Sequence, residues 1–284
     1  MNGKVPSFIK WAGGKKQLLE QFKQFFPQNA ERYFEPFVGG GAVAFYIIQK
    51  NNLKEIYLSD INEELINCYN VIKNNVEELI KILKEYKKNH NKEVYYKIRE
   101  QDPKKLSNLY RAGRFIYLNK TCFNGLYRVN SKGGFNVPMG DYKNPSIVQE
   151  QELRFISKLL KNTILRVMSF DNVLQYAKKG DFIYFDPPYY PLKKGQSFTT
   201  YTKDKFLEDE QTRLSEVFKE LNKRGCYIML SNSDTDFVKN LYQGFYINTV
   251  KANRMINCDA TKRGKINEIV VTNYPVNTKG LLDF

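Results

Sequence analysis

Residues 32–60 constrain the fold more than any other part of the sequence. The run RYFEPFV at 32–38 predicts a strand that stops at three consecutive glycines, and AVAFYIIQKNN after them predicts a buried helix. A second predicted strand, EIYLSD, ends in Asp60. A strand, a glycine turn, a helix and a strand that ends in an acid are typical of the start of a doubly wound sheet. We therefore expect an α/β fold.

The rest of the chain continues this pattern, with one interruption. Helices are predicted at 63–73, 76–89 and 206–222, and strands at 163–168, 181–185, 226–232, 245–250 and 268–274. From about residue 95 to 146 the alternation stops, and a stretch rich in Gly and Asn follows a predicted helix at 107–120. We therefore predict a core of residues 1–75 and 163–284, with a helical and hairpin subdomain inserted at 76–162.

The glycine turn and Asp60 indicate a nucleoside cofactor. Glycine lets the backbone approach a ligand closely, and an acid at the end of the second strand can accept hydrogen bonds from ribose hydroxyls. Gly39, Gly41 and Ala44 match the dinucleotide fingerprint only marginally, so NAD stays open, as does a tight structural turn.

The N-terminal stretch FIKWAGGK has two interpretations. Its glycine pair, 13–14, precedes a helix-like sequence and could present backbone N–H groups to an anion, beside the charge of Lys15. Alternatively, Trp11 is a buried anchor for the N-terminus. The spacing of a phosphate-binding P-loop is absent, which disfavours ATP chemistry.

The stretch FIYFDPPYYP at 182–191 ends a predicted strand in a carboxylate, two prolines and two tyrosines. The amino nitrogen of adenine is a poor nucleophile, because its lone pair is delocalised into the ring. Asp186 and the rigid Pro187 carbonyl could accept its two N–H bonds, while Tyr189 offers a face for stacking. The alternative is a proline-rich surface turn.

The overall composition favours a polyanionic partner. Forty-five Lys and Arg face 30 Asp and Glu, a net charge of +15. One histidine and four cysteines without C-x-x-C spacing disfavour a zinc site and a histidine-dependent nucleophile, so we expect no metal. The sequence has no signal peptide and no run of 18 apolar residues, so we expect a cytoplasmic protein that makes no membrane contact.

The middle of the chain is strongly basic. RVNSKGGFNV at 128–137 predicts a hairpin, and basic side chains there could contact phosphates and base edges, although a solvated loop would have the same charge. Six basic residues stand against one acid, Asp141, between 110 and 143: Arg111, Arg114, Lys120, Arg128, Lys132 and Lys143.

Seven motifs, in this order, resemble the Dam family of DNA adenine-N6 methyltransferases over residues 7–274. They are FIKWAGGK, YFEPFVGGGAV, YLSDIN, FNGLYRVN…FNVP, FDPPY, LSNSD and RGKINEIVVTNY. The resemblance implies a Rossmann-like core that uses S-adenosyl-L-methionine. It implies a cofactor site formed by Trp11, Lys15, Phe34, Glu35, Gly39, Gly41, Asp60 and Asp186.

The resemblance also implies how DNA is read. The usual target of the family is GATC. Two features depart from the family pattern: Phe123 stands where tyrosine is common, and Asp141 adds a negative charge. The positions that contact DNA in the family are Lys10, Phe123, Asn124, Leu126, Arg128, Pro138 and Tyr142.

Together these features predict a site-specific adenine methyltransferase that acts on double-stranded DNA. Because an adenine inside the helix is out of reach, we expect base flipping, with FTTYT at 198–202 either a lid or an ordinary loop. A restriction endonuclease for the same site is a possible partner, and DNA binding would place the protein at the nucleoid. The same chemistry on RNA or on another site, a DNA-binding regulator without turnover and an NAD-linked enzyme are the alternatives.

Overall fold

The protein was analysed as a computed structural model, which describes residues 5–51, 53–130, 133–192, 206–253 and 265–276. Its strands are β1 (Arg32–Glu35), β2 (Glu55–Asp60), β3 (Thr163–Val167), β4 (Phe182–Phe185), β5 (Tyr227–Ser233), β6 (Tyr246–Asn253) and β7 (Lys265–Thr272). They form one sheet in the order β3-β2-β1-β4-β5-β7-β6.

The strand directions are those of a doubly wound fold. β2, β1, β4 and β5 run parallel, and β7 runs antiparallel to both β5 and β6. The first five strands follow the order 3-2-1-4-5 that is common to dinucleotide-binding sheets. The predicted α/β, Rossmann-like fold is therefore confirmed.

The α-helices of the described residues are α1 (Leu19–Phe22), α2 (Ala42–Lys50), α3 (Glu63–Asn74), α4 (Val76–Lys88), α5 (Lys92–Glu100), α6 (Asn108–Thr121), α7 (Glu150–Leu160), α8 (Glu208–Lys223) and α9 (Asp236–Leu241). Short 3₁₀ turns lie at Lys15–Leu18, Lys23–Phe25, Pro103–Lys105, Phe123–Gly125 and Phe170–Gln175. The predicted helices and strands agree with these bounds to within a few residues. β1 is shorter than predicted because Pro36 follows it and lacks the N–H needed for the ladder.

The chain divides into two compact units. A helical unit comprises Met1–Gly14, Val38–Asn51 and Ser59–Val167, and a sheet unit comprises Lys15–Phe37, Asn52–Leu58 and Met168–Phe284. The predicted insert, 76–162, lies wholly inside the helical unit, which also contains α2 and α3. The predicted domain boundaries remain a prediction.

The core of the sheet unit lies around its central strand. All four side chains of β4 are buried, as expected for a strand paired on both sides and covered on both faces. Ile183 and Phe185 pack with Leu214 and Phe218 of α8 in one apolar cluster. Because the whole of β4 is buried, the strand is held in place, and so is Asp186, the residue that follows it.

In the helical unit, α6 packs against α3, α4 and α5. Three of these helices begin at side-chain caps, and at the start of α5 the cap is Asn91, whose Oδ1 accepts from the Val94 N–H. The Asn62 side chain accepts from the Leu65 N–H at the start of α3, and the Ser107 hydroxyl accepts from the Tyr110 N–H at the start of α6. α6 is followed directly by the turn Phe123–Gly125, so the packing of α6 determines where that turn lies.

Candidate active site

Asp186 follows β4 at the carboxyl end of a parallel strand, where open α/β sheets bind their ligands. Its Oδ1 atom lies 2.7 Å from Lys15 Nζ and accepts a hydrogen bond of 2.9 Å from the Ser231 hydroxyl. Within the described residues its Oδ2 atom has no hydrogen-bond partner. Asp186 thus has one oxygen held in place and one oxygen available as an acceptor.

Burial raises the pKa of Asp186, and the Lys15 ammonium and the Ser231 hydroxyl oppose that rise. Ser231 is itself fixed, because its hydroxyl also hydrogen bonds to Tyr184 at 2.8 Å. The carboxylate is thus positioned by two elements of the sheet unit, β5 and the segment that begins at Lys15.

The two prolines after Asp186 are held from α8 and β5. The Pro188 carbonyl accepts from Gln211 Nε2 at 2.9 Å, and Gln211 Oε1 accepts from the Asn232 side chain at the same distance. Pro187 is buried, and in the described part of the chain its carbonyl has no hydrogen-bond partner. The turn therefore offers a second fixed acceptor beside the Asp186 carboxylate.

Tyr189 is fixed at its hydroxyl and on one face. The hydroxyl donates a hydrogen bond of 2.7 Å to Glu268 Oε2, and Lys15 Nζ lies 4.6 Å from the ring centroid. Burial raises the pKa of Tyr189 well above its usual value and also raises the pKa of Glu268. Tyr189 is therefore an un-ionised ring in a fixed plane.

The end of β1 supplies two of the residues expected to bind the cofactor. Phe34 is buried and stacks on Tyr57, with ring centroids 4.5 Å apart. Glu35 is buried and accepts a hydrogen bond of 2.6 Å from the Tyr33 hydroxyl. Both side chains have structural contacts of their own, and their contact with a cofactor stays a prediction.

In the helical unit, the glycine turn lies under the Trp11 ring. A Cβ atom at Gly39 would lie 2.7 Å from Trp11 Nε1, and one at Gly40 would lie 3.0 Å from Trp11 Cβ. Gly39 and Gly41 also have φ angles of 46° and 72°, which favour glycine. Trp11 therefore requires Gly39 and Gly40 whether or not a ligand is bound. Trp11 is half-buried, and its contact with a cofactor stays a prediction.

Asp60 is tied to the glycine turn. Its Oδ2 accepts from the Gly39 N–H at 3.2 Å, and its Oδ1 accepts from the Asn62 N–H at 2.9 Å. Burial raises the pKa of Asp60 to about 6, and these backbone donors oppose the rise. An acid that bonds the backbone of the preceding glycine turn is well placed to hold a nucleoside, as the sequence predicts.

The segment from Asn119 to Tyr142, called the reader loop here, begins at a buried amide. Asn119 Oδ1 accepts from the Lys10 N–H at 2.7 Å, and its Nδ2 donates to the carbonyls of Lys10 and Gly125 at 2.8 and 3.0 Å. The Lys10 ammonium lies 4.1 Å from the centroid of the Tyr142 ring. These contacts bring together the two ends of the predicted DNA-binding set.

The exposed tip of the reader loop carries a large apolar side chain. Phe123 is 51% exposed, and its N–H donates to the Pro138 carbonyl at 2.9 Å. Asn124 follows with a φ of 54°, a left-handed conformation that costs a non-glycine residue free energy. Leu126 is half-buried next to this turn. An exposed phenylalanine on a tightly bonded turn fits the predicted wedge.

The hairpin predicted at 128–137 is present in the described residues, which exclude 131 and 132. Val129 pairs with Phe135, and the Asn130 N–H donates to the Gly134 carbonyl at 2.8 Å. Arg128 is exposed, and its Nε donates to Asn136 Oδ1 across the hairpin at 2.7 Å. The guanidinium therefore has a fixed direction on an exposed surface.

Three of the six basic residues between 110 and 143 serve the fold and are not available for phosphate. Arg111 pairs with Glu63 and Glu64. Arg114 is buried and donates to the carbonyls of Ile98 and Arg99. Both side chains are therefore engaged inside the helical unit, and neither is among the residues predicted to contact DNA.

Lys120 is the third. It is buried at the end of α6, and its ammonium donates to Gln149 Oε1 at 2.6 Å. Burial lowers its pKa to about 8. The sequence shows the charge but not the direction in which each side chain points, since all three lie on a helix whose packing is not visible locally. Lys132 and the FTTYT stretch at 198–202 lie outside the described residues.

Two side chains that contact site residues were not singled out from the sequence. They are Ser231, which donates to Asp186, and Glu268, which accepts from Tyr189. Both lie inside motifs that resemble the Dam family: Ser231 in LSNSD and Glu268 in RGKINEIVVTNY. The sequence therefore pointed to these two segments, but it did not indicate what the two side chains do.

Two searches of the described residues were negative. No three His, Cys, Asp or Glu side chains there are grouped so that they could hold a metal ion. In the same part of the chain, every helix is too short or too polar to cross a lipid bilayer.

Comparison with known proteins identifies close relatives. A family model described as D12 class N6 adenine-specific DNA methyltransferase matches residues 11–256. Type II methyltransferase M.MjaIII of Methanocaldococcus jannaschii is 48% identical, over 95% of this chain and 99% of the relative. Type II methyltransferase M1.LlaDCHI of Lactococcus lactis subsp. cremoris is 43% identical, over 94% of this chain and 95% of the relative.

A DNA adenine methylase of Escherichia coli strain K12 is 34% identical, with 95% of each chain covered. Among solved structures, precorrin-6y C5,15-methyltransferase from Geobacter metallireducens GS-15 has a TM-score of 0.39 and 9% identity, and covers 93% of this chain and 90% of that chain. This structural similarity is too low to bear on function.

Proposed function

Because the chain belongs to the D12 class of N6 adenine-specific DNA methyltransferases, we propose that it transfers a methyl group from S-adenosyl-L-methionine to the N6 amino group of one adenine in a short duplex site. The proposed site is GATC, since the motifs of the reader loop resemble those of the Dam family. The proposed reaction includes extrusion of the target adenine from the helix.

The observation that carries the proposal is the pair of acceptors after β4. An adenine amino group can donate one N–H to Asp186 Oδ2 and the other to the Pro187 carbonyl. These contacts draw electron density back to the nitrogen, so that it can attack a methyl group. Tyr189 offers a flat face for the ring, and stacking of a base on an aromatic side chain contributes about 1–3 kcal/mol. Part of the cost of extruding the base is offset in this way.

Asp186 also provides for the proton that must leave N6 after transfer. A carboxylate whose pKa is raised by burial accepts a proton more readily than an exposed one. Lys15 keeps the charge of Asp186 compensated before the reaction. Positioning and electrostatics therefore account for the catalysis, and no histidine is needed.

The donor set fits S-adenosylmethionine. Each oxygen of Asp60 accepts one backbone N–H and retains a lone pair for a ribose hydroxyl. When bound, S-adenosylmethionine supplies a methyl group on a positively charged sulfur. The proposed cofactor residues are Asp60, Trp11, Lys15, Phe34, Glu35, Gly39, Gly41 and Asp186.

For DNA recognition we propose that Phe123 enters the helix at the place that the adenine leaves. Arg128, held by Asn136, points its guanidinium at a base edge, because arginine can bind guanine through two hydrogen bonds. Lys10 and Tyr142 lie against each other and are proposed to act together on a flanking base pair. Asn124, Leu126 and Pro138 complete the proposed DNA contacts.

We also propose a restriction endonuclease for the same site as a functional partner. Two relatives, at 48% and 43% identity, are named type II methyltransferases, which supports such a pairing. The proposal places the enzyme in the cytoplasm, at the nucleoid.

The test is transfer of tritiated methyl from S-adenosylmethionine to duplexes that contain GATC, compared with duplexes in which each position is changed. Sequencing of methylated host DNA identifies the site independently. Label on RNA, or at adenines in a different motif, would replace GATC with that substrate. No label on any DNA, with cofactor binding intact, would refute the proposal.

A further inference from the structure

We propose that Glu268 is a positioning residue that holds the Tyr189 ring in the place where it receives the extruded adenine. The Tyr189 hydroxyl donates to Glu268 Oε2 at 2.7 Å, and both residues belong to the sheet unit. This inference rests on the proposed function for the identity of the base. The anchoring of the ring can be measured apart from it.

The position of Glu268 is defined by the sheet. β7 lies between β5 and β6, and Glu268 is paired with Ser233 on one side and Val250 on the other. A strand bonded on both sides cannot shift its register without breaking two ladders. The carboxylate therefore has a fixed origin, which an acceptor on a loop would lack.

The backbone on both sides of Tyr189 is held at Pro188 and Tyr190, but this leaves the direction of the Tyr189 side chain open. Tyr189 follows two prolines, and the described contacts of its side chain are with Glu268 and Lys15. The ammonium lies 4.6 Å from the ring centroid and covers one face, whereas the hydroxyl contact holds the edge. The face contact sets the plane of the ring, but with that contact alone the hydroxyl end could still swing about the Cα–Cβ bond. The contact to Glu268 removes that freedom.

The position of the ring matters because adenine must present its amino group to two acceptors at once. A small displacement of the reacting atoms from the productive arrangement is costly, of the order of 10²-fold in rate for about 1 Å. Tyr189 lies three residues after Asp186, so a tilt of its ring moves the base relative to the carboxylate. Glu268 therefore acts on the rate of transfer through Tyr189, with no contact to the base required.

Two substitutions at the same position separate geometry from charge. Glu268→Gln keeps the length and an acceptor oxygen but removes the charge. Glu268→Asp keeps the charge but withdraws the carboxylate by one methylene, which breaks a hydrogen bond of 2.7 Å. Asn267→Ala, on the exposed neighbouring residue of β7, is the matched control.

The full-length protein is assayed in single turnover with saturating S-adenosylmethionine and duplex DNA. We expect E268D to lower the rate constant of transfer about tenfold, while E268Q and N267A stay within about twofold of the wild type. Dissociation constants for DNA and S-adenosylmethionine should change less than about twofold in all three. If E268Q transferred the methyl group slowly and E268D at the wild-type rate, the charge of Glu268 and not its position would matter, and the proposal would be overturned.

Tyr189→Phe supplies the second arm, because phenylalanine has no hydroxyl for Glu268 to hold. In the Y189F background, E268D should cause no further loss of rate. An undiminished effect of E268D in that background would show that Glu268 acts elsewhere and would overturn the proposal. If E268D does not fold, Y189F alone decides: a wild-type rate in Y189F overturns the proposal, and a loss of about tenfold supports it.

A third readout does not depend on catalysis. In protein labelled with ¹³C in its tyrosine rings, the Tyr189 resonances should shift or broaden in E268D and stay near their wild-type positions in E268Q and N267A. Unchanged resonances in E268D would overturn the proposal even if the enzyme were active. If the wild type transfers no methyl group to any DNA, the proposed function fails, and this spectrum still judges the anchoring of Tyr189.

Discussion

Lys15 and Asp186 form an ion pair of 2.7 Å, and the same ammonium lies over the ring of Tyr189. One buried cation thus contacts both the proposed acceptor and the proposed stacking surface. Removal of Lys15 would leave Asp186 partly desolvated without its counter-charge, and the carboxylate would respond by binding a proton. The activity of the site should therefore depend on pH in a way that Lys15 controls.

Loss of the Asp186 carboxylate should abolish methyl transfer. In Asp186→Ala we expect single-turnover transfer to fall by about 10³-fold or more, since an acceptor for the developing charge is lost. DNA binding should be largely spared, because the residues proposed to read the helix lie elsewhere and Asp186 contacts only the extruded adenine of the DNA. Asp209→Ala, on the exposed first turn of α8, is the control for loss of a nearby acid. Retained turnover in D186A would remove Asp186 from the reaction.

Replacing Lys15 by methionine should shift the pH dependence of transfer. The pKa of Asp186 is already raised by burial, and Lys15 lowers it. Without Lys15 the pKa rises further, so the active carboxylate is lost at a higher pH as the solution is made more acidic. We expect the acid limb of the single-turnover profile to move to higher pH in K15M. An acid limb that stays in place or moves to lower pH contradicts this account.

Binding of S-adenosylmethionine should weaken below the pKa of Asp60. The carboxylate form accepts ribose hydroxyls and prevails above about pH 6, the pKa that burial gives Asp60. Well below that pH the dissociation constant should rise about tenfold for each pH unit, because only the ionised fraction binds. Calorimetric titration from pH 5 to pH 8 measures this. Asp60→Asn should bind weakly and without that pH dependence, and an Asn variant with the same profile would exclude Asp60.

Substitution of Gly39 should destabilise the protein more than substitution of a glycine with open surroundings. In Gly39→Ala the new Cβ would lie 2.7 Å from Trp11 Nε1, whereas in Gly244→Ala it would meet nothing within 4 Å. Both glycines have positive φ, so both variants carry the backbone cost of about 1–2 kcal/mol. Overpacking adds about 1–3 kcal/mol to G39A alone.

Urea unfolding of the two alanine variants gives this difference directly. It should shrink in a Trp11→Ala background, where the clash is removed. Equal losses of unfolding free energy in G39A and G244A would contradict this prediction, because they would mean that the Trp11 side chain moves away from the new Cβ at no cost in stability.

Arg128 of the reader loop and Lys143, the residue that follows the loop, should have different effects on DNA recognition. Arg128→Ala should relax the sequence preference, because a bidentate contact to a base contributes about 1–3 kcal/mol of discrimination. Lys143→Ala should weaken binding to all sequences alike and reduce the slope of the salt dependence by about 1. Methylation rates on a library of single-position variants of the site separate the two outcomes. An unchanged preference in R128A would exclude it from base reading.

The fold could be predicted from the sequence because its signals are local. The glycines after β1, the acid at the end of β2 and the apolar runs of β4 and β5 each define an element within a few residues. The resemblance to the Dam family is confirmed by the family match over 11–256 and by relatives of 34–48% identity. Helix α7 was not predicted individually, although its spacing is amphipathic.

The parts that the sequence could not supply depend on long-range packing. The partner of Tyr189, Glu268, is 79 residues away, and the ion pair of Asp186 is with a lysine near the N-terminus. In the sequence Arg111 and Arg114 add to the basic charge of this stretch, yet Glu64 binds Arg111 and two carbonyls in the last turn of α5 bind Arg114. Charge is visible in a sequence, but its neutralisation by a distant group is not.

The buried amide of Asn119 has a consequence for chimaeras between members of the class. It bonds the backbone of Lys10 on both sides and the carbonyl of Gly125, which links the tenth residue of the chain to a turn more than a hundred residues later. If only residues 107–142 were transplanted from a relative, they would lack the N-terminal segment around residue 10 to which Asn119 hydrogen bonds. Exchange of target specificity should therefore require two segments, moved together.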